Sequence, residues 1–100
     1  MQEHTDKKDK IILLLEESIK LLSKNNQKRW AEGLMCLMRH YIKSDNKQEA
    51  ASLIKKLYGG AGTLNDVVLH KDRKPLIEEN NQLEKLLNEL YDECNKKMMK

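Results

Sequence analysis

Asn81-Gln82-Leu83-Glu84-Lys85-Leu86-Leu87-Asn88-Glu89-Leu90-Tyr91-Asp92-Glu93-Cys94 carries the most regular pattern in the chain. Its apolar positions, Leu83, Leu86, Leu87, Leu90, Tyr91 and Cys94, recur at spacings of three and four, the period of an α-helix with one buried face. Asn81 and Glu84 stand at the spacing of a capping box, so the helix is expected to begin near Asn80 or Asn81 and to run to about Lys97. A stripe of this width is stable only against the stripes of other elements.

Those partners are written upstream. Ile12, Leu15, Ile19 and Leu22, widened by Ile11, Leu14 and Leu21, predict a helix that starts at a cap on Thr5 or Asp6, after a frayed segment 1–4, and ends at about Lys24 before Asn25-Asn26. A second helix is expected over about Gln27 to Lys43, with Trp30, Leu34, Leu37, Met38 and Tyr41 on one face and Gly33 its only weak helix former. Asp45 with Gln48, or Asn46 with Glu49, has capping spacing for a third helix that turns Ala50, Leu53, Ile54 and Leu57 inward and stops at Gly59-Gly60. The expected fold class is therefore all-α: a small antiparallel bundle of about four helices, one domain over residues 1–100.

Composition agrees. The 100 residues contain one proline and no phenylalanine, which is a helical rather than a sheet vocabulary. The apolar run Ile11–Leu15 is broken by Glu16-Glu17, far short of the roughly 20 residues that span a bilayer, and the start Met1-Gln2-Glu3-His4-Thr5-Asp6-Lys7 lacks the basic, then apolar pattern of a signal peptide. A cytoplasmic protein that does not enter a membrane is expected, with Cys36 and Cys94 reduced and packed. The formal charge of +3, with acids spread among the bases, favours solubility over nucleic-acid binding.

The run Gly59-Gly60-Ala61-Gly62-Thr63-Leu64-Asn65-Asp66-Val67-Val68-Leu69-His70 fits neither a helical nor a strand period. Thr63 with Asp66 suits the cap of a short turn; Val67–His70 and Pro75–Glu78 about Lys71-Asp72-Arg73-Lys74 suit equally a short β-hairpin before the last helix. The sequence leaves both open. The segment resembles small bacterial domains of unknown function in which a tryptophan-containing helix precedes Gly-Gly-x-Gly-Ser/Thr-hydrophobic-Asn-Asp-x-Val-Leu. Trp30, Gly59, Gly60, Gly62, Thr63, Asn65, Asp66, Val68 and Leu69 carry the likeness, with Asn80, Leu90 and Tyr91 downstream, loosely over residues 11–95. It implies a bacterial or phage origin and a compact helical fold, and it implies no activity.

Three close glycines allow a partner's backbone to approach, and Asn65-Asp66 offer an amide and a carboxylate beside them. The glycines do not form a phosphate loop, since they follow a helix and lack the Gly-Lys-Ser/Thr end. Cys36 and His40 lie four apart on one helix, with Cys94 or His70 as distant companions, yet the second close pair of a structural zinc site is missing. The same cysteines and histidines are the available nucleophile and base pairs, but thiols in apolar stripes are inert. No enzyme activity, metal or cofactor is expected.

The expected function is a protein-binding module, in its most concrete form a small immunity or antitoxin-like inhibitor that blocks a partner enzyme stoichiometrically. The residues expected to meet that protein are Gly60, Gly62, Thr63, Asn65, Asp66 and His70 at the loop, and Glu89 and Glu93 on the acidic last helix. The alternative is a nucleic-acid-associated regulator using Lys28, Arg29, Arg39 and Lys43 on the second helix; too few aromatics interleave with these bases to favour it. Met35, Met98 and Met99 leave a homodimer compatible with the sequence.

Overall fold

A computed structural model describes residues 9–57 and 67–99. Four helices and one two-stranded hairpin follow in the order α1 (Lys10–Lys24), α2 (Lys28–Lys43), α3 (Lys47–Lys55), β1 (His70–Lys71), β2 (Lys74–Pro75) and α4 (Ile77–Met98). The fold is mainly α. α1 packs on α2 and α4, α3 packs on α4, and a smaller α2–α3 contact closes the ring. Asp9, ahead of α1, meets Tyr41 at the end of α2 and Lys97 at the end of α4, so α1 runs antiparallel to both.

Several helix boundaries have a local cause. The cap of α1 is Asp9, whose Oδ1 accepts from the Ile11 amide at 2.9 Å, so the helix Lys10–Lys24 starts there; Thr5 and Asp6, the caps expected from the sequence, lie outside the described residues. Its far end closes as a Schellman turn: Asn26 takes a φ of 67° and the Gln27 amide donates to the Leu22 carbonyl at 2.8 Å. At the end of α2 the Lys47 ammonium donates to the carbonyls of Tyr41 (2.5 Å), Ile42 (3.0 Å) and Ser44 (2.9 Å). That places a cation on the negative end of the helix dipole and satisfies acceptors left over by the last turn. Of the two candidate caps for α3, Asn46 is the one used, accepting from the Glu49 amide at 3.0 Å.

The core forms where the stripes meet. Leu14, Leu15 and Leu22 of α1, Leu34 and Tyr41 of α2, Ala50 and Ile54 of α3, and Leu83, Leu87 and Leu90 of α4 are buried, as the periodicity requires. Ala51 is buried and Leu53 half-buried, so α3 sits rotated slightly from its expected face. Ser18 is a buried polar side chain of α1, and it satisfies itself by donating to the Leu14 carbonyl at 2.8 Å. Cys94 is buried and unpaired, but Cys36 is exposed. The expectation that both cysteines pack is thus corrected for Cys36, which falls on the side of α2 opposite Leu34 and Tyr41.

Gly33 is exposed in the middle of α2, and a Cβ built there would meet nothing within 4 Å. Packing gives no reason for glycine at a helical position where it costs about 1 kcal/mol relative to alanine. Gly33→Ala is expected to raise stability by about that amount, read as a higher urea midpoint with an unchanged slope.

Candidate functional site

The hairpin answers the question left open by the sequence. His70 pairs with Pro75 and Lys71 with Lys74 in antiparallel register, leaving Asp72-Arg73 as a two-residue turn. Their φ values of 54° and 68° are those of a type I′ turn, the type that matches the twist of two strands. Such turns favour Asn-Gly or Asp-Gly. Here the second position is an arginine, held in the left-handed region without the freedom of glycine.

What holds the hairpin is an amide clamp. Leu69, buried, donates its N–H to Asn80 Oδ1 at 2.7 Å, and Asn80 Nδ2 donates back to the Leu69 carbonyl at 3.0 Å. The same carbonyl accepts from the Leu76 amide at 2.9 Å, and the Asn80 amide donates to the Leu76 carbonyl at 2.8 Å. Asn80 therefore cannot serve as a cap. α4 begins at Ile77, three residues before the expected start, with Leu76 at the cap position and no side-chain cap. Around the clamp, Val68 (46%) and Ile77 (72%) are exposed apolar side chains, and His70, Lys71, Arg73 and Lys74 are exposed.

At the other end of α4 a second polar network ties three elements together. Tyr41, fully buried, donates its hydroxyl to Asp9 Oδ2 at 2.5 Å, and Lys97 Nζ lies 3.5 Å from the same oxygen. Burial pushes the Asp9 carboxyl upward, but the bonds from Tyr41 and the Ile11 amide and the nearby Lys97 together outweigh it and hold its pKa below the ordinary value. Burial, and then the bond and charge of Asp9, push the Tyr41 phenol well above its ordinary range. The Cys94 thiol is pushed up to about 12, by burial first, with Asp9 and Glu93 adding and Lys55 opposing. A thiol so held stays protonated at neutral pH and is a poor nucleophile. Lys55 donates to Asn95 Oδ1 at 2.6 Å and stands 4.8 Å over the Tyr91 ring, fastening α3 to α4.

The sequence-expected contact residues divide among these places. Gly60, Gly62, Thr63, Asn65 and Asp66 lie outside the described residues. His70 is exposed on β1. Glu89 and Glu93 are half-buried on α4, and Glu93 pairs with Lys96 at 3.3 Å and Lys10 at 3.7 Å. Glu93 follows Ile77 by 16 residues, about 24 Å of helix, so His70 and Glu93 belong to opposite ends of α4. Cys36 and His40 are both exposed on α2, away from buried Cys94, and among the described residues no group of three or more His, Cys, Asp or Glu is placed to hold a metal ion. Among the same residues no helix is long and apolar enough to cross a membrane.

Residues 23–77, more than half of the chain, match the family model described as Domain of unknown function (DUF6966). The chain belongs to this family. The DUF6966 segment takes in α2, α3, residues 58–66 and the hairpin; it contains Trp30 and the run Gly59–Leu69, and ends at the first residue of α4, before Asn80, Leu90 and Tyr91. The clamp thus joins the DUF6966 segment, through Leu69, to the long helix beyond it. No curated protein and no solved structure gives a significant match to the chain.

Proposed function

We propose that this chain is a protein-binding module of the cytoplasm, working as a small immunity or antitoxin-like inhibitor that blocks a partner enzyme stoichiometrically. The observation that supports the reading is the clamp of Asn80 on Leu69. It fixes the chain at the exit of the glycine-rich segment while Val68 and His70, on either side of the buried leucine, face outward. A loop anchored in this way loses less conformational entropy on docking than a free one, and the saving appears as affinity. Asn65 and Asp66, with Gly60, Gly62 and Thr63, supply the polar and close-approach part of the contact. Glu89 and Glu93 supply an acidic face for a second, basic area of the partner.

Tagged protein captured from lysate of the source organism, beside a folded Asn65→Ala/Asp66→Ala variant, tests this. One protein retained at 1:1 stoichiometry by the parent and lost by the variant is the expected result. Equal retention by both removes the loop from the interface. A second reading, nucleic-acid association, is favoured by one observation: Lys28, Arg29, Arg39, His40 and Lys43 are all exposed on α2, with Glu32 the single acid among them. It predicts an oligonucleotide bound at low salt whose affinity falls steeply as salt rises, as counterion release demands.

A further inference from the structure

The register of the hairpin fixes which main-chain groups it uses and which it leaves over. The Leu76 amide donates to the Leu69 carbonyl, so Leu69 and Leu76 form a hydrogen-bonding pair, and alternation makes His70 and Pro75 a non-bonding one. The N–H and C=O of His70 therefore point away from β2, as do those of Val68 two residues earlier. Side-chain burial follows the same alternation: Val67 and Leu69 turn to the core, whereas Val68 and His70 are exposed. Among the described residues, the amides and carbonyls of Val68 and His70 have no hydrogen-bond partner. On the other strand Pro75 has no N–H, so the outer edge of β2 lacks its donor. One edge of the hairpin is thus open to a further strand and the other is blunted.

The charge beside the open edge selects the strand that fits it. Lys71 and Lys74 stand directly opposite each other, an arrangement that weakens a strand pair, and Arg73 adds a third cation at a turn position that favours glycine. Asp72 is the one acid within this tip, and the ion pairs among the described residues lie elsewhere, on Glu93 and Asp9. Glu78 and Glu79 belong to the first turn of α4, where the helix dipole favours carboxylates, beyond Ile77, which extended chain sets about 10 Å from Lys74. Cations beside an edge work against a second copy, which brings the same cations, and favour a strand that carries acids. The clamp on Leu69 holds the edge in its extended form, so little order has to be gained on association. We propose that β1 takes up an extended acidic segment of another protein as a third strand. The main chain of that segment bonds to Val68 and His70, and its carboxylates face the Lys71–Lys74 tip. The proposal goes beyond the inhibitor reading, since it requires neither an enzyme as partner nor contacts from Asn65 and Asp66, and the two can fail separately.

Titration of the full chain at low salt with the end-blocked peptide Glu-Val-Glu-Val-Glu-Val-Glu, followed by amide NMR and hydrogen exchange, tests it. In the free chain the Val68 and His70 amides are expected to exchange fast and the Leu76 amide slowly; saturating peptide should slow Val68 and His70 by about tenfold or more. A strand edge this short is expected to give a dissociation constant of about 0.1 to 1 mM. Lys71→Glu/Lys74→Glu changes only exposed side chains and keeps like charges opposite each other, so the hairpin itself is little altered. The variant is expected to bind the acidic peptide at least about tenfold more weakly and to bind Lys-Val-Lys-Val-Lys-Val-Lys instead. Absence of binding by the parent up to about 5 mM peptide overturns the proposal. So do Val68 and His70 amides already protected in the free chain, which would mean an edge that is not open. Signals that shift at Lys71, Arg73 and Lys74 with no slowing of the two amides overturn it as well, since they report a contact between charges without strand pairing, the kind a nucleic-acid phosphate would also make.

Discussion

Asn80→Ala is expected to lower stability by about 2 to 3 kcal/mol, because it strips two hydrogen bonds from the backbone of a buried residue and leaves the Leu69 N–H without an acceptor. The Leu69 carbonyl keeps its bond from the Leu76 amide, which caps the loss below that of two orphaned groups. For a chain of this length the melting temperature should fall by about 10 to 20 °C. Asn80→Asp separates the clamp from a packing effect. A carboxylate still accepts from the Leu69 amide but repels the Leu69 carbonyl, whereas a protonated carboxyl can donate to it. The folded state therefore favours the protonated form and raises this carboxyl's pKa, so the variant's stability is fullest below the unfolded carboxyl value of about 4 and is lost as pH rises through the folded one. Urea midpoints at pH 4 and pH 7, each relative to the parent, should differ in that direction. Equal losses at both pH values would show that Asn80 acts by shape alone.

The same residue shows where the sequence could be read and where it could not. Helix existence followed from local periodicity: Leu83, Leu87 and Leu90, or Leu34 and Tyr41, are buried because they recur at helical spacing, and burial of one face decides the element. Helix starts were less legible, because the side chains that cap amides are the ones that make long-range bonds. Asn81 with Glu84 has the spacing of a cap, but its neighbour Asn80 gives its amide to Leu69, 11 residues away, and α4 starts at Ile77 instead. Thr5, Asp6 and Asp9 are all plausible caps for α1. Asp9 has an additional use, since its second oxygen binds Tyr41, 32 residues on, and such a bond leaves no mark on local spacing. The hairpin was legible only as one of two alternatives, because its turn lacks the glycine that normally announces a type I′ turn. Of the expected contact residues, His70 is placed on that hairpin and Glu93 near the far end of α4, a separation that neither residue's charge nor its local spacing records.

Stability is expected to fall between pH 7 and pH 11, with about 2 to 3 kcal/mol of the loss due to Cys94 and the decline starting near pH 9. Cys94 has an unfolded pKa of 9.0 and is pushed up to about 12 in the folded state, and Tyr41 is raised from 10.0. Both groups bind their protons more tightly when folded. Their contribution is therefore fully present below the unfolded values and is lost as pH rises toward the folded ones. Asp9 works in the opposite direction: its lowered pKa gives stability that is present above the unfolded value of 3.8 and lost as pH falls through the folded one. Urea unfolding at pH 7, 9, 10 and 11 measures the alkaline arm, and mass-spectrometric alkylation of Cys94 should increase in step with it. Cys94→Ala is expected to be less stable than the parent at pH 7 yet to lose about 2 to 3 kcal/mol less between pH 7 and pH 11. That difference in slope distinguishes ionisation of a buried thiol from the general weakening of lysine ion pairs, which the substitution leaves in place. A parallel decline in parent and variant would mean that Cys94 reaches solvent in the folded protein, and that the end of the bundle closed by Asp9, Tyr41 and Lys97 opens more readily than its buried contacts imply.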